Sequence, residues 1–90
     1  MIYIFVSHKV KDYDSWKQVY DSHDSLRSEF GMETRKIFRS VDDPENIHVL
    51  VSSPSIEAFE EFSIKGDLKT IMEKAGVISE PVINILNLAQ

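Results

Sequence analysis

The apolar segments of this chain come in an order that few folds accept: strand, helix, strand, strand, helix, strand, within ninety residues. Residues 2–10 read as strand one. Ile4, Val6, His8 and Val10 share one face; Tyr3, Phe5, Ser7 and Lys9 share the other. Asp12-Tyr13-Asp14-Ser15 carries helix-start chemistry, and a stripe of Trp16, Val19, Tyr20, His23, Leu26 and Phe30 predicts a helix from Tyr13 to Phe30. Gly31 stands where a left-handed cap ends it. Strand two, residues 32–41, is rich in charge and suits an edge. Asp42-Asp43-Pro44-Glu45-Asn46 is a turn. Strand three, Ile47 to Ser52, is nearly all apolar and suits a central position.

Ser53-Pro54-Ser55 opens a second helical region with Ile56, Phe59 and Phe62 inward. Lys65-Gly66-Asp67 interrupts it, and Asp67 is placed to cap a short helix carrying Leu68, Ile71, Met72 and Ala75, stopped by Gly76. Val82 to Leu88 is the last strand, apolar except at Asn84 and Asn87. The resulting βαββαβ order is the ferredoxin-like arrangement: an α+β domain spanning 1–90, with an antiparallel sheet and both helical regions on one face. Strands one, three and four stay apolar on the face left bare, where a water-facing sheet would alternate. A patch of that kind marks an interface. The expected partner is a second copy, sheet against sheet, a homodimer that also supplies core to a small domain.

Composition narrows the function. Apolar residues are 42%, enough for a core, and the formal charge is −5, which disfavours phosphate backbones and anionic membranes. No nucleic-acid and no membrane partner is therefore expected. The absence of cysteine removes disulfides, thiolate nucleophiles and thiolate-bound metals, and fits a cytoplasmic location. Met1 to Val6 is apolar but too short for a signal or spanning segment. Three histidines without tight spacing make a poor metal site, and no phosphate-cradling loop or nucleophile elbow is present, so no cofactor is expected. The bare sheet is also a poor RNA platform, because Ile47-His48-Val49-Leu50-Val51 lacks the basic-glycine-aromatic pattern.

The candidate chemistry lies in two histidines. His8 on strand one could serve as a general base, or else make one structural hydrogen bond; an imidazole titrates near neutrality and is costly to bury idle. His23, one heptad after Trp16, should face the sheet and could converge with His8 on one pocket, or else be a core histidine bonded to a carbonyl. His48 reads as a surface or sheet-edge residue. Trp16 and Tyr20, with Tyr13, could stack on a flat ligand, though stripe packing onto the sheet is the favoured reading. Asn84 could bond a ligand carbonyl, though a satisfied core amide is the favoured reading. Arg35 and Arg39, at period two, should share a face and could clamp a carboxylate, or be solvated edge charges. Glu57, Glu60 and Glu61 form a solvated helix surface.

Three segments, VSHKVKDYDSW (Val6–Trp16), FRSVDDPEN (Phe38–Asn46) and LKTIMEKAGV (Leu68–Val77), give the chain a resemblance. It resembles the dimeric α+β barrel superfamily, which contains antibiotic-biosynthesis monooxygenase-like proteins and small cyclase-like or stress-responsive relatives. The resemblance implies a metal-independent monooxygenase- or cyclase-type enzyme acting on a small hydrophobic or aromatic metabolite. The catalytic candidates are then His8 and His23, with Trp16, Tyr20 and Asn84 as ligand-binding candidates. The alternative is a non-catalytic small-molecule-binding or stress-related module of the same fold. Heme-degrading relatives are similar in fold, but this chain lacks an Asn on strand one and a His in the second helical region.

Overall fold

The structure is a computed structural model that describes residues 1–89. In chain order it contains β1 (Ile2–Lys9), α1 (Tyr13–Ser22), α2 (Asp24–Glu29), β2 (Glu33–Arg39), β3 (Asn46–Ser53), α3 (Ile56–Lys65), α4 (Leu68–Lys74) and β4 (Val82–Leu86). The four strands form one antiparallel sheet in the order β2-β3-β1-β4. The most apolar strands, β1 and β3, are central, and charged β2 is an edge. Strand β1 pairs with β3 from Ile2↔Ser53 to Lys9↔Asn46, so Ile4, Val6 and His8 share a face with Val51, Val49 and Ile47.

The core forms where that face meets the helices. Ile4, Val10, Trp16, Met32, Ile47, Val49, Val51, Phe59, Phe62 and Ala75 are buried there. Each large side chain so buried contributes about 1.5–3 kcal/mol. The Asp12 carboxylate caps α1 by accepting from the Ser15 amide at 2.9 Å, and the Ser55 hydroxyl caps α3 through the Ala58 amide at 3.1 Å. Gly31 (φ +74°) and Gly76 (φ +84°) end α2 and α4 in the left-handed region.

Four local features differ from the sequence expectation. The first helix is two helices. At His23 the ring Nδ1–H donates to the Val19 carbonyl at 2.9 Å, and the Ser22 hydroxyl donates to the same oxygen at 2.6 Å. Side chains that bond the backbone of the preceding turn compete with a continuing helix. A register shift between Thr34 and Lys36 turns β2 over. As a result Arg35 and Arg39 part company: Arg35 Nε donates to Ser52 Oγ at 3.0 Å, while Arg39 lies 4.0 Å above the Tyr13 ring on the helix side. Asp67 precedes α4 in the left-handed region (φ 50°) and makes no side-chain bond to a helix amide; its carboxylate accepts from the Thr70 hydroxyl instead. Strand β4 stops at Leu86.

The opposite face of the sheet carries no helix. Tyr3, Phe5 and Leu50 lie there, half-buried by their own neighbours, with the exposed Phe38, Val82 and Leu86 around them. His48 lies among them and is held at both ring nitrogens, Nδ1 by Ser7 Oγ at 2.8 Å and Nε2 by Ser40 Oγ at 2.9 Å. Among the described residues, no helix is long and apolar enough to cross a membrane.

Candidate active site between sheet and helices

Four side chains project from α1 and α2 at spacings of four, three and four: Trp16, Tyr20, His23 and Arg27. That is one helical face. It lies over the β1–β3 face that presents Ile4, Val6, His8, Val49 and Val51, and α3 and α4 close the far side with Phe59, Phe62, Leu68, Ile71, Met72 and Ala75. The space enclosed is about 70 Å³. An apolar cavity of roughly 150 Å³ admits benzene, so an aromatic ligand has to widen this one. The wall best able to give is α4, where no residue is fully buried.

His8 is the polar group of the cavity floor. Strand parity turns it inward, and only 5% of the residue is exposed. Its ring meets Trp16 edge to face at 5.8 Å, and Nδ1 has no hydrogen-bond partner among the described residues. Burial, more than any charged neighbour, holds the imidazole below its ordinary value of 6.5. At neutral pH the ring is therefore uncharged, and Nδ1 can accept a proton when the ring hydrogen sits on Nε2.

The helix wall is a chain of ring contacts. Trp16 stacks on Tyr20 at 4.9 Å, and Arg27 lies over the other side of the chain, 3.7 Å from the Tyr20 centroid. The Tyr20 hydroxyl is paired with Thr34 Oγ1 at 2.6 Å, and burial raises its pKa, so it remains a neutral phenol. The start of this helix is anchored from outside: the Tyr13 amide donates to Glu45 Oε2 at 3.1 Å, tying α1 to the β2–β3 turn.

The structure brings His8, Trp16, Tyr20 and His23 to one cavity. His23 is half-buried at the α1–α2 junction, and its bond to the Val19 carbonyl commits Nδ1 as a donor, leaving Nε2 for any ligand. Asn84 does not join them. It pairs with Phe5 across β1–β4, and because paired residues share a side, it stands exposed on the bare face rather than beside His8. Arg27 was absent from the sequence candidates although the four-three-four spacing reaches it; a charged residue on an apolar stripe is easily assigned to the wet side. Among the described residues, no three His, Asp or Glu side chains are grouped to hold a metal ion.

No family model matches the sequence, and no curated protein matches it. Solved structures do. An antibiotic biosynthesis monooxygenase-like protein from Bordetella bronchiseptica superposes with a TM-score of 0.81 at 13% identity, over 99% of this chain and 97% of that one. The fold is the antibiotic biosynthesis monooxygenase fold. Another protein sharing it is SnoaB, a cofactor-independent oxygenase from Streptomyces nogalater, with a TM-score of 0.78 at 10% identity, over 99% of this chain and 93% of that one. A third, from Nitrosomonas europaea, has a TM-score of 0.74 at 16% identity with both chains covered in full. At these identities the antibiotic biosynthesis monooxygenase fold is what is shared, and the chemistry has to be argued from the cavity.

Proposed function

We propose that the chain is an enzyme that removes a proton from a small hydrophobic or aromatic metabolite held between sheet and helices. A monooxygenase-type reaction is the form the fold favours. The observation that carries this reading is His8: a buried, uncharged imidazole with an unpartnered Nδ1 on a sheet wall that is otherwise apolar. Such a group is a general base set where a substrate C–H or O–H can reach it. The low-polarity surroundings exclude competing water, and Trp16 and Tyr20 give the substrate a flat wall. His23 stands in the same cavity with Nε2 free to accept a hydrogen bond from the substrate, and His8, once protonated, holds the proton to be returned. In an oxygenase reaction dioxygen is the oxidant: a substrate CH2 becomes C=O, and the second oxygen leaves as water. The likeness to SnoaB supports that reaction type through the fold alone.

In this reading a second copy covers the bare sheet face, and the enzyme works as a homodimer.

The test is oxygen uptake with a panel of small phenols and aromatic ketones bearing acidic C–H groups, wild type beside His8→Asn. The expected result is uptake by the wild type that falls by about 10²–10⁴-fold in the variant, the usual contribution of a positioned base. Equal uptake by both proteins removes His8 from the role of base, and uptake by neither, with ligand still bound, assigns the cavity to binding without catalysis.

A further inference from the structure

The cavity contains a buried cation that proton transfer does not use. Arg27 is 5% exposed. Its guanidinium is fixed on two sides, by the Tyr20 ring 3.7 Å away and by a 2.6 Å bond from Nη2 to the Tyr20 carbonyl. Nε is buried and has no hydrogen-bond partner among the described residues. The ion pair it makes is weak: Asp24 Oδ1 lies 3.9 Å from Nη2, on a side chain 73% exposed. A solvated carboxylate at that distance does little to offset a buried charge. A charge that cannot be neutralised by losing its proton, held rigid with a donor to spare, needs its counter-charge from elsewhere.

We infer that the cavity selects an apolar molecule carrying one carboxylate, with Arg27 as its counter-charge and an acid oxygen seated at Nε. This rests on the reading of the cavity as a ligand site. A neutral carbonyl would occupy Nε but leave the charge unbalanced. A phosphate dianion would leave negative charge buried in an apolar space with one cation to meet it. A single carboxylate satisfies both conditions, and its planar geometry matches the guanidinium. His8, uncharged, does not alter that balance. Arg27 and His8 stand at the two ends of the ring contacts through Tyr20 and Trp16, so the acid group is held at one end and the proton acceptor at the other.

The probes are benzoate and benzamide, close in size and shape and differing in charge. Affinities for wild type are measured by calorimetry at pH 7.5, and the Arg27 Nε–H resonance is followed by NMR. Benzoate is expected to bind at least 10-fold more tightly than benzamide, and to move the Nε–H resonance as it saturates the site. In Arg27→Met the preference should vanish or reverse. Equal affinities in the wild type, or a benzoate preference with Nε–H unmoved, overturns the inference and leaves the cavity a ligand site. Binding of neither probe overturns both. The wild-type readouts decide without relying on the folding of a variant.

Discussion

The imidazole of His8 meets the indole of Trp16 edge to face, ring centroids 5.8 Å apart and planes at 65°. The indole shields His8 from water, and that burial lowers its pKa below 6.5. The consequence for stability has a definite sign. Below 6.5 the unfolded chain binds a proton that the folded His8 resists, so stability is full above that pH and declines as pH falls toward the folded value. Urea unfolding at pH 7.5 and 5.0 should show a loss in the wild type that is smaller in His8→Asn. Asp12 and Asp43, held low by hydrogen bonds from Ser15 and Lys9, act in a separate window, below 3.8. An identical pH slope in both proteins would contradict the burial of His8.

The two left-handed glycines differ in their surroundings. A Cβ on Gly76 would find Lys11 Cβ at 3.8 Å, which is ordinary contact; on Gly31 it would lie 2.7 Å from Pro54 Cγ. Gly76→Ala should therefore cost only the backbone term, about 1–2 kcal/mol. Gly31→Ala should add an overpacking term of about 1–3 kcal/mol. Thermal melts should rank wild type, Gly76→Ala, Gly31→Ala, with about 4–8 °C lost per kcal/mol in a domain of this size.

What the sequence made legible were features of periodicity. Alternation in β1 placed His8 with Ile4 and Val6, and the 3.6-residue stripe placed Trp16, Tyr20 and His23 above them. What it hid depended on single local events. The bulge at Thr34/Lys36 reverses side-chain parity along β2 and separates Arg35 from Arg39, and alternation carries no sign of one extra residue. The break at His23 comes from side-chain bonds to one carbonyl. Arg27 followed the stripe, but its burial depends on a stacking partner, Tyr20, that only the fold identifies. Asn84 lay in an apolar strand, and its side of the sheet was set by pairing with Phe5.

Tyr20 joins the sheet edge to the cavity wall, and its two functions can be separated. Tyr20→Phe removes the 2.6 Å bond to Thr34 Oγ1 and keeps the ring between Trp16 and Arg27. A cost of about 0.5–1.5 kcal/mol is expected, that of one hydrogen bond. Tyr20→Leu also loses the aromatic stack and the cation–π contact, each of order 0.5–1 kcal/mol or more. Denaturant unfolding should show the Leu variant as clearly the less stable. Equal losses would mean that the ring contacts contribute nothing.

Phe5 and Leu50 face each other across the two central strands on the side without helices, and Phe5 stacks on the His48 ring at 6.0 Å. If a second copy covers this face, a charge placed at its centre is buried without a partner, a defect that costs far more than the lost apolar contact. Leu50→Glu should therefore raise the dimer dissociation constant by at least 100-fold. A monomer should remain that keeps its secondary structure, since residue 50 points away from the core shared by Ile47, Val49 and Val51. Exposed Glu57→Lys on α3 is the control and should leave the dimer intact. Analytical ultracentrifugation at micromolar concentration reads all three proteins. A wild type sedimenting as a monomer would sink the sheet-to-sheet arrangement, because nothing would then cover Phe38, Val82 and Leu86.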